Sequence, residues 1–188
     1  MVSESQRIPS DFDLIFAGQP AQHSFYLYHI ISRLLSTKHA NNICGIIELG
    51  TGSGALTTYL GLWGTRLGVP VFSIDTNAYA IDNGAGPMFH RLGVIYRQED
   101  IFSNVEKIKG LISFLGPVYL VCDNGNKVKE FRTFVPSLDS GSIISVHDWS
   151  TEIQEGLVKD VIESCKLQAI DQDLWLRCSA IFASWVKG

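Results

Sequence analysis

The sequence predicts an α/β fold: a doubly wound, mostly parallel seven-stranded sheet, with helices on both faces and an antiparallel strand pair at its C-terminal end. Three observations predict it. From residue 43 to residue 147, short apolar runs alternate with helix-length segments. Those runs lack the apolar–polar alternation of a half-solvated strand, so both of their faces are covered, as in a parallel sheet. The last two runs, 167–170 and 179–186, are separated by a segment too short for a comfortable helical crossover, which makes them an antiparallel pair.

The elements follow in chain order. With 188 residues, 46% of them hydrophobic and 18% charged, the chain suits one domain, 1–188, with a sizeable core. Residues 1–23 read as an irregular N-terminal segment or lid. Ser24 is placed to cap a helix in which Leu27, Ile30, Ile31, Leu34 and Leu35 recur at helical spacing. Strands are predicted at 43–49, 71–75, 94–98, 118–123 and 142–147. Helical segments begin near Gly54, Asn77, Ser103 and Lys127, and Trp63, at helical spacing from Tyr59 and Leu60, reads as core. Strand and helix in alternation imply right-handed crossovers and hence the doubly wound sheet.

Bulk properties narrow the function. The net charge of −4 argues against a nucleic-acid footprint, for which a basic stripe is expected. No apolar run reaches the roughly 18 residues of a membrane span. The N-terminus MVSESQRIPSDFD lacks a basic region followed by an apolar one, so a cytoplasmic protein is expected. Cys44, Cys122, Cys165 and Cys178 are scattered without a CxxC pair, so neither a zinc site nor a disulfide framework is expected.

The stretch IIELGTGSGALTTYLG, 46–61, carries the chemistry. Its loop Gly50-Thr51-Gly52-Ser53-Gly54 leaves the first long strand and enters a helix. Ligands of a doubly wound sheet bind beyond such strand ends. Glycine permits positive φ and removes the Cβ that would keep a ligand from the backbone, and the helix start offers free N–H groups. A dinucleotide site wants G-x-G-x-x-G; this loop reads G-x-G-x-G, with Glu48 two residues ahead. That pattern resembles the cofactor motif of Rossmann-like, S-adenosylmethionine-dependent methyltransferases, and the resemblance spans roughly residues 43–186. It implies that Glu48 orients the loop or receives the cofactor's amino group. Asp75, ending VFSID, would accept the ribose hydroxyls. Asp100 would stand near the adenine amino group, with Ile101 and Phe102 flanking the ring. Asp123 ends VYLVCD and His147-Asp148 ends SIISVHD, so acids stand at four successive strand ends.

The segment after the fourth strand is Asp123-Asn124-Gly125-Asn126, not the N/D-P-P-Y/F of base-modifying enzymes. The pair of acid-bearing strand ends is similar instead to the metal-assisted catechol O-methyltransferase group and its cephalosporin-hydroxylase-like relatives. This likeness implies O-methylation of a small molecule, with Asp123, His147 and Asp148 holding a divalent cation (magnesium, manganese, iron or zinc). Magnesium favours all-oxygen surroundings, and the other three accept an imidazole. Lys127 would take the acceptor's proton if its pKa were depressed. Asp123, His147 and Lys127 are thus the expected catalytic residues. His23 is placed for a lid over the cofactor, His29 for the surface or packing, and Trp149 for a pocket wall or the core. The expected partner is a small-molecule acceptor, with neither nucleic acid nor membrane; self-association into a homo-oligomer stays open. Competing readings are an NAD(P)-dependent oxidoreductase and a non-catalytic module that binds the same cofactor.

Overall fold

A computed structural model of the chain describes residues 15–20, 23, 25–173 and 182–188. The Ser24 cap, the irregular stretch before residue 15 and most of the segment between the last two runs lie outside these. A hairpin of β1 (Ile15–Phe16) and β2 (Gln19–Pro20) leads into α1 (Phe25–Leu35). Then come β3 (Gly45–Leu49), α2 (Ala55–Leu67), β4 (Val71–Asp75), α3 (Tyr79–Asp82), α4 (Gly86–Arg91), β5 (Val94–Gln98) and α5 (Val105–Leu115). The second half holds β6 (Val118–Cys122), α6 (Lys127–Phe134), β7 (Ile143–His147), α7 (Glu155–Ser164), β8 (Leu167–Ala169) and β9 (Phe182–Lys187). The seven-stranded sheet has the order β5-β4-β3-β6-β7-β9-β8, with β9 antiparallel to both of its neighbours. Strand order reverses between β3 and β6, the place where such sheets bind ligands.

The expected sheet is therefore present, and so is the first helix: Leu27, Ile30, Ile31, Leu34 and Leu35 are all buried. Three details differ. The helix expected from Asn77 is two short ones, because Gly84 interrupts it with φ +84°. Residues 15–20, read as irregular, form the small hairpin, and Phe16 stacks on Tyr28 with ring centroids 5.5 Å apart. Helix α7 had no counterpart in the expected elements; it buries only Val158 and Val161. Among the described residues no helix is long and apolar enough to cross a membrane.

Side chains alternate between the faces of each strand, and that parity divides the core. Ile46, Tyr119, Val121 and Ile143 join the cluster under α1 and α2. Ile47, Leu49, Val118, Leu120, Ile144 and Val146 join the cluster under α5, α6 and α7. Glu48, Ser73, Asp75, Asp123, Ser145 and His147 have the parity of the first face. These six polar side chains therefore point to the α1–α2 side.

Gly50 joins the two halves of the sheet. Its N–H donates to Ile74 O (2.9 Å), and Asp123 N–H donates to Leu49 O (2.8 Å). A Cβ on Gly50 would stand 2.4 Å from the Asp123 carbonyl oxygen, at φ +98°. Gly50→Ala is expected to destabilise the fold by about 2–4 kcal/mol, through backbone collision and a disfavoured φ. Gly110, inside α5 with nothing within 4 Å of an added Cβ, provides the contrast. Gly110→Ala should stabilise by about 0.5–1 kcal/mol. Urea denaturation of both variants checks the pair of signs.

Candidate functional site

The glycine loop has a structural logic of its own. Gly54, at φ +87°, would bring a Cβ to 2.9 Å from Phe89 and 3.2 Å from Ala80. Gly50 and Gly54 are thus required by packing against β6 and the α3–α4 turn. Gly52, φ +53°, lines an open cavity together with Gly50.

Asp75 reaches across to this loop. Its Oδ2 accepts from Thr51 N–H (2.8 Å) and Gly52 N–H (3.1 Å), and its Oδ1 from Asn77 N–H (3.0 Å). The carboxylate that the resemblance assigns to a ribose thus holds the loop amides here. Ser53 Oγ donates to Pro20 O (2.6 Å), fastening the hairpin to the loop.

Glu48 lies deeper, with no exposed surface. Its Oε2 accepts from Thr57 Oγ1 and Ser73 Oγ, each at 2.5 Å, and Ser73 Oγ is 2.6 Å from Thr51 Oγ1. Glu48 therefore reaches the loop through Ser73. Its Oε1 is buried with no hydrogen-bond partner. Burial pushes its pKa up from 4.5 to about 8, against the lowering effect of the two hydroxyl donors.

Across the switch point, Asp123 gathers several charges. His23 Nε2 stands 2.6 Å from its Oδ2, and His147 Nδ1 stands 3.2 Å from its Oδ1. The two imidazoles meet edge to face, 4.6 Å between centroids. Burial alone would raise the Asp123 pKa, but the two histidines outweigh it and hold this carboxyl well below the usual range. For His147, burial works downward, yet the bond to Asp123 and the charges of Asp123 and Asp148 leave its pKa raised.

Register explains the meeting: Cys122 pairs with Val146, so Asp123 and His147 are the next residues of adjacent strands. Asp148 would point to the opposite face if the strand continued. Strand β7 ends at His147, however, and Asp148 takes φ +59°, so its Oδ2 returns to within 3.2 Å of His147 Nδ1.

Lys127 is buried at the start of α6, with Nζ 2.7 Å from Asp148, 3.0 Å from Glu152 and 3.9 Å from Asp123. Burial would lower its pKa; the bonds to Asp148 and Glu152 outweigh that and raise it. The depressed pKa that a base at Lys127 requires is therefore absent, because Lys127 is an ion-paired cation. Glu152, which the sequence reading did not single out, is part of the reason. Asp148, expected as a metal ligand, is committed to Lys127. The residues whose ligand atoms lie within 4.8 Å of one another are His23, Asp123 and His147.

Other expected residues fall further away. Asp100 is exposed and its Oδ1 accepts from Phe102 N–H and Ser103 N–H, both 2.8 Å, an interaction that lowers its pKa. Ile101 is buried in the second core, leaving Phe102 half-buried beneath Lys129 Nζ at 3.9 Å. Trp63 is core, Trp149 packs on Trp185 at 5.0 Å, and His29 is exposed. His23, Gly50, Thr51, Gly52, Asp123, Lys127, His147 and Asp148 together line a cavity of about 240 Å³.

Strand order, the glycine loop between β3 and α2, and the antiparallel β9 define the Rossmann-like methyltransferase fold. Solved structures agree. The chain is 13% identical to CmcI with magnesium and SAM, TM-score 0.64, covering 98% of this chain and 83% of that one. It is 14% identical to a protein assigned as a caffeoyl-CoA O-methyltransferase from Staphylococcus aureus, TM-score 0.60, covering 86% and 83%. A protein assigned as an O-methyltransferase from Klebsiella pneumoniae is 15% identical, TM-score 0.59, covering 92% and 85%. No protein-family model and no curated protein sequence matches the chain.

Glu48 makes stability depend on pH. Its folded-state pKa is raised, so its contribution is full below its ordinary value of 4.5 and is lost as pH rises towards 8. Between pH 5 and pH 8 the loss is up to about 4 kcal/mol. Glu48→Gln, which cannot ionise, should lose less stability over that interval. Urea midpoints of both proteins across the interval test this; parallel losses would refute it.

Proposed function

We propose that the protein binds S-adenosylmethionine at the glycine loop and transfers its methyl group to a hydroxyl oxygen of a small molecule. The observation that carries the reading is the cavity at the strand-order switch. Gly50, Thr51 and Gly52 form one wall, and Asp123 with its two histidines forms another. The backbone at Gly52 is bare towards the cavity, as close approach of a cofactor requires. Asp75 sets the loop amides, and exchange of those amides for ribose hydroxyls would keep its charge satisfied.

The bound cofactor supplies an activated methyl group on a sulfonium. The chain's residues align the acceptor for in-line displacement and manage its proton. The C–S electron pair stays on sulfur, the acceptor oxygen forms the new C–O bond, and its proton must leave. An imidazole of the His23–Asp123–His147 group, rather than the strongly acidic Asp123 carboxyl, would take up that proton. Lys127 contributes a fixed positive charge. One consideration supports a small acceptor: the cavity measures only about 240 Å³, with His23 of the N-terminal segment in its lining. The O-methyltransferase assignments of two structural neighbours support oxygen as the methylated atom.

Isothermal titration with S-adenosylhomocysteine should give micromolar affinity, about 8 kcal/mol. Asp75→Ala is expected to weaken it at least 30-fold, because a charged acceptor is lost from the loop and the ribose together. Gly52→Val, forcing a β-branched residue to φ +53° beside the cavity, should abolish binding while the circular dichroism spectrum is kept. Unchanged affinity in both variants would refute the cofactor assignment.

A further inference from the structure

The structural neighbour CmcI was solved with magnesium. The donors gathered in this chain's cavity do not suit that ion. The group within mutual reach is two imidazoles and one carboxylate, His23, Asp123 and His147. Magnesium demands a near-ideal octahedron of oxygens and gives up its water reluctantly. Imidazole suits zinc, iron, nickel and copper, and affinities at a given site rise from manganese through iron, cobalt and nickel to copper, with zinc below copper.

We propose that His23, Asp123 and His147 form a two-histidine, one-carboxylate site for a transition divalent cation, with the N-terminal segment contributing one of its three protein ligands. The proposal rests on reading this cavity as the reaction site and concerns what else the cavity holds. Geometry is the first support. Ligands on a sphere of about 2.1 Å radius are about 3.0–3.4 Å apart in octahedral or tetrahedral arrangement. Asp123 Oδ2 stands 2.6 Å from His23 Nε2 and its Oδ1 3.2 Å from His147 Nδ1, and one ligand atom from each of the three lies within 4.8 Å of the other two.

A second support is His23 itself. It is only 6% exposed, and its Nδ1 is buried without a hydrogen-bond partner. Among the described residues this buried imidazole has Asp123 as its one polar partner, which packing accounts for poorly. A ligand role accounts for it.

Charge is the third support. Asp123, Asp148 and Glu152 face the single ammonium of Lys127, so with both imidazoles neutral, as metal ligands are, the cluster has an excess of two negative charges. A divalent ion balances that excess. Asp148, the oxygen donor that a magnesium site would use, is 2.7 Å from Lys127 Nζ and committed to it.

The test is cation binding, measured apart from catalysis. Full-length protein stripped with EDTA is titrated calorimetrically with manganese, zinc and magnesium chlorides, and its visible absorption is followed on adding cobalt(II). Manganese and zinc should bind at least tenfold more tightly than magnesium, and cobalt should give the absorption of a nitrogen-containing site. His23→Ala should weaken zinc at least tenfold and change the cobalt spectrum. His23→Gln and His147→Ala, checked by circular dichroism, guard against a variant that fails to fold. Equal magnesium and manganese affinity, untouched by His23→Ala, would overturn the proposal in favour of an oxygen site. So would the absence of any cation binding in protein that still takes S-adenosylhomocysteine. Cation binding as expected without S-adenosylhomocysteine binding would leave this proposal standing and remove the methyltransferase reading instead.

Discussion

A missing Cβ sets the position of everything in the cavity. Gly50 lies so close to the backbone of Asp123 and Asn124 that no side chain fits between them. Their contact brings the end of β3 against the end of β6, where the sheet changes direction. From there, one register relation puts Asp123 beside His147, and one N–H pair ties the loop to Asp75. Each later contact inherits its accuracy from this approach of two bare stretches of chain.

Polar groups then run through a layer that is otherwise apolar. Thr57, Glu48, Ser73 and Thr51 form one connected series, and Tyr119, Ser145 and Ser184 form another. Buried polar groups are costly unless bonded, and nearly all of these are; Glu48 Oε1 is the exception. Two of the five described non-glycine residues with positive φ stand where β7 ends. Asp148 and Ser150 take φ of +59° and +72°, and the Asp148 carbonyl accepts from the N–H groups of Thr151 and Glu152. The turn is held by those bonds, and it is what returns Asp148 to Lys127.

Much of the fold could be read from the sequence because parallel strands covered on both sides are continuous apolar runs. The runs at 71–75 and 94–98 coincide with β4 and β5 to the residue. Helix α7 escaped because Val158 and Val161 alone mark its buried side. The hairpin escaped because two-residue strands carry no period. In the site, the acids at strand ends were visible for the same reason as the strands. The partnership of His23 with Asp123 was not, since 100 residues separate them and only the tertiary path brings them together. Nor could the charge of Lys127 be read, because it depends on a left-handed residue, Asp148, that the sequence does not flag.

The N-terminal segment carries one consequence further. Between Phe16 and His23 it stacks on Tyr28, bonds Asn83 through Gln19, receives Ser53 at Pro20, and ends on Asp123. The placement of His23 beside Asp123 therefore rests on anchors set along this short stretch of chain, and a change at Phe16, Gln19 or Pro20 would be felt at Asp123 without touching the cavity itself.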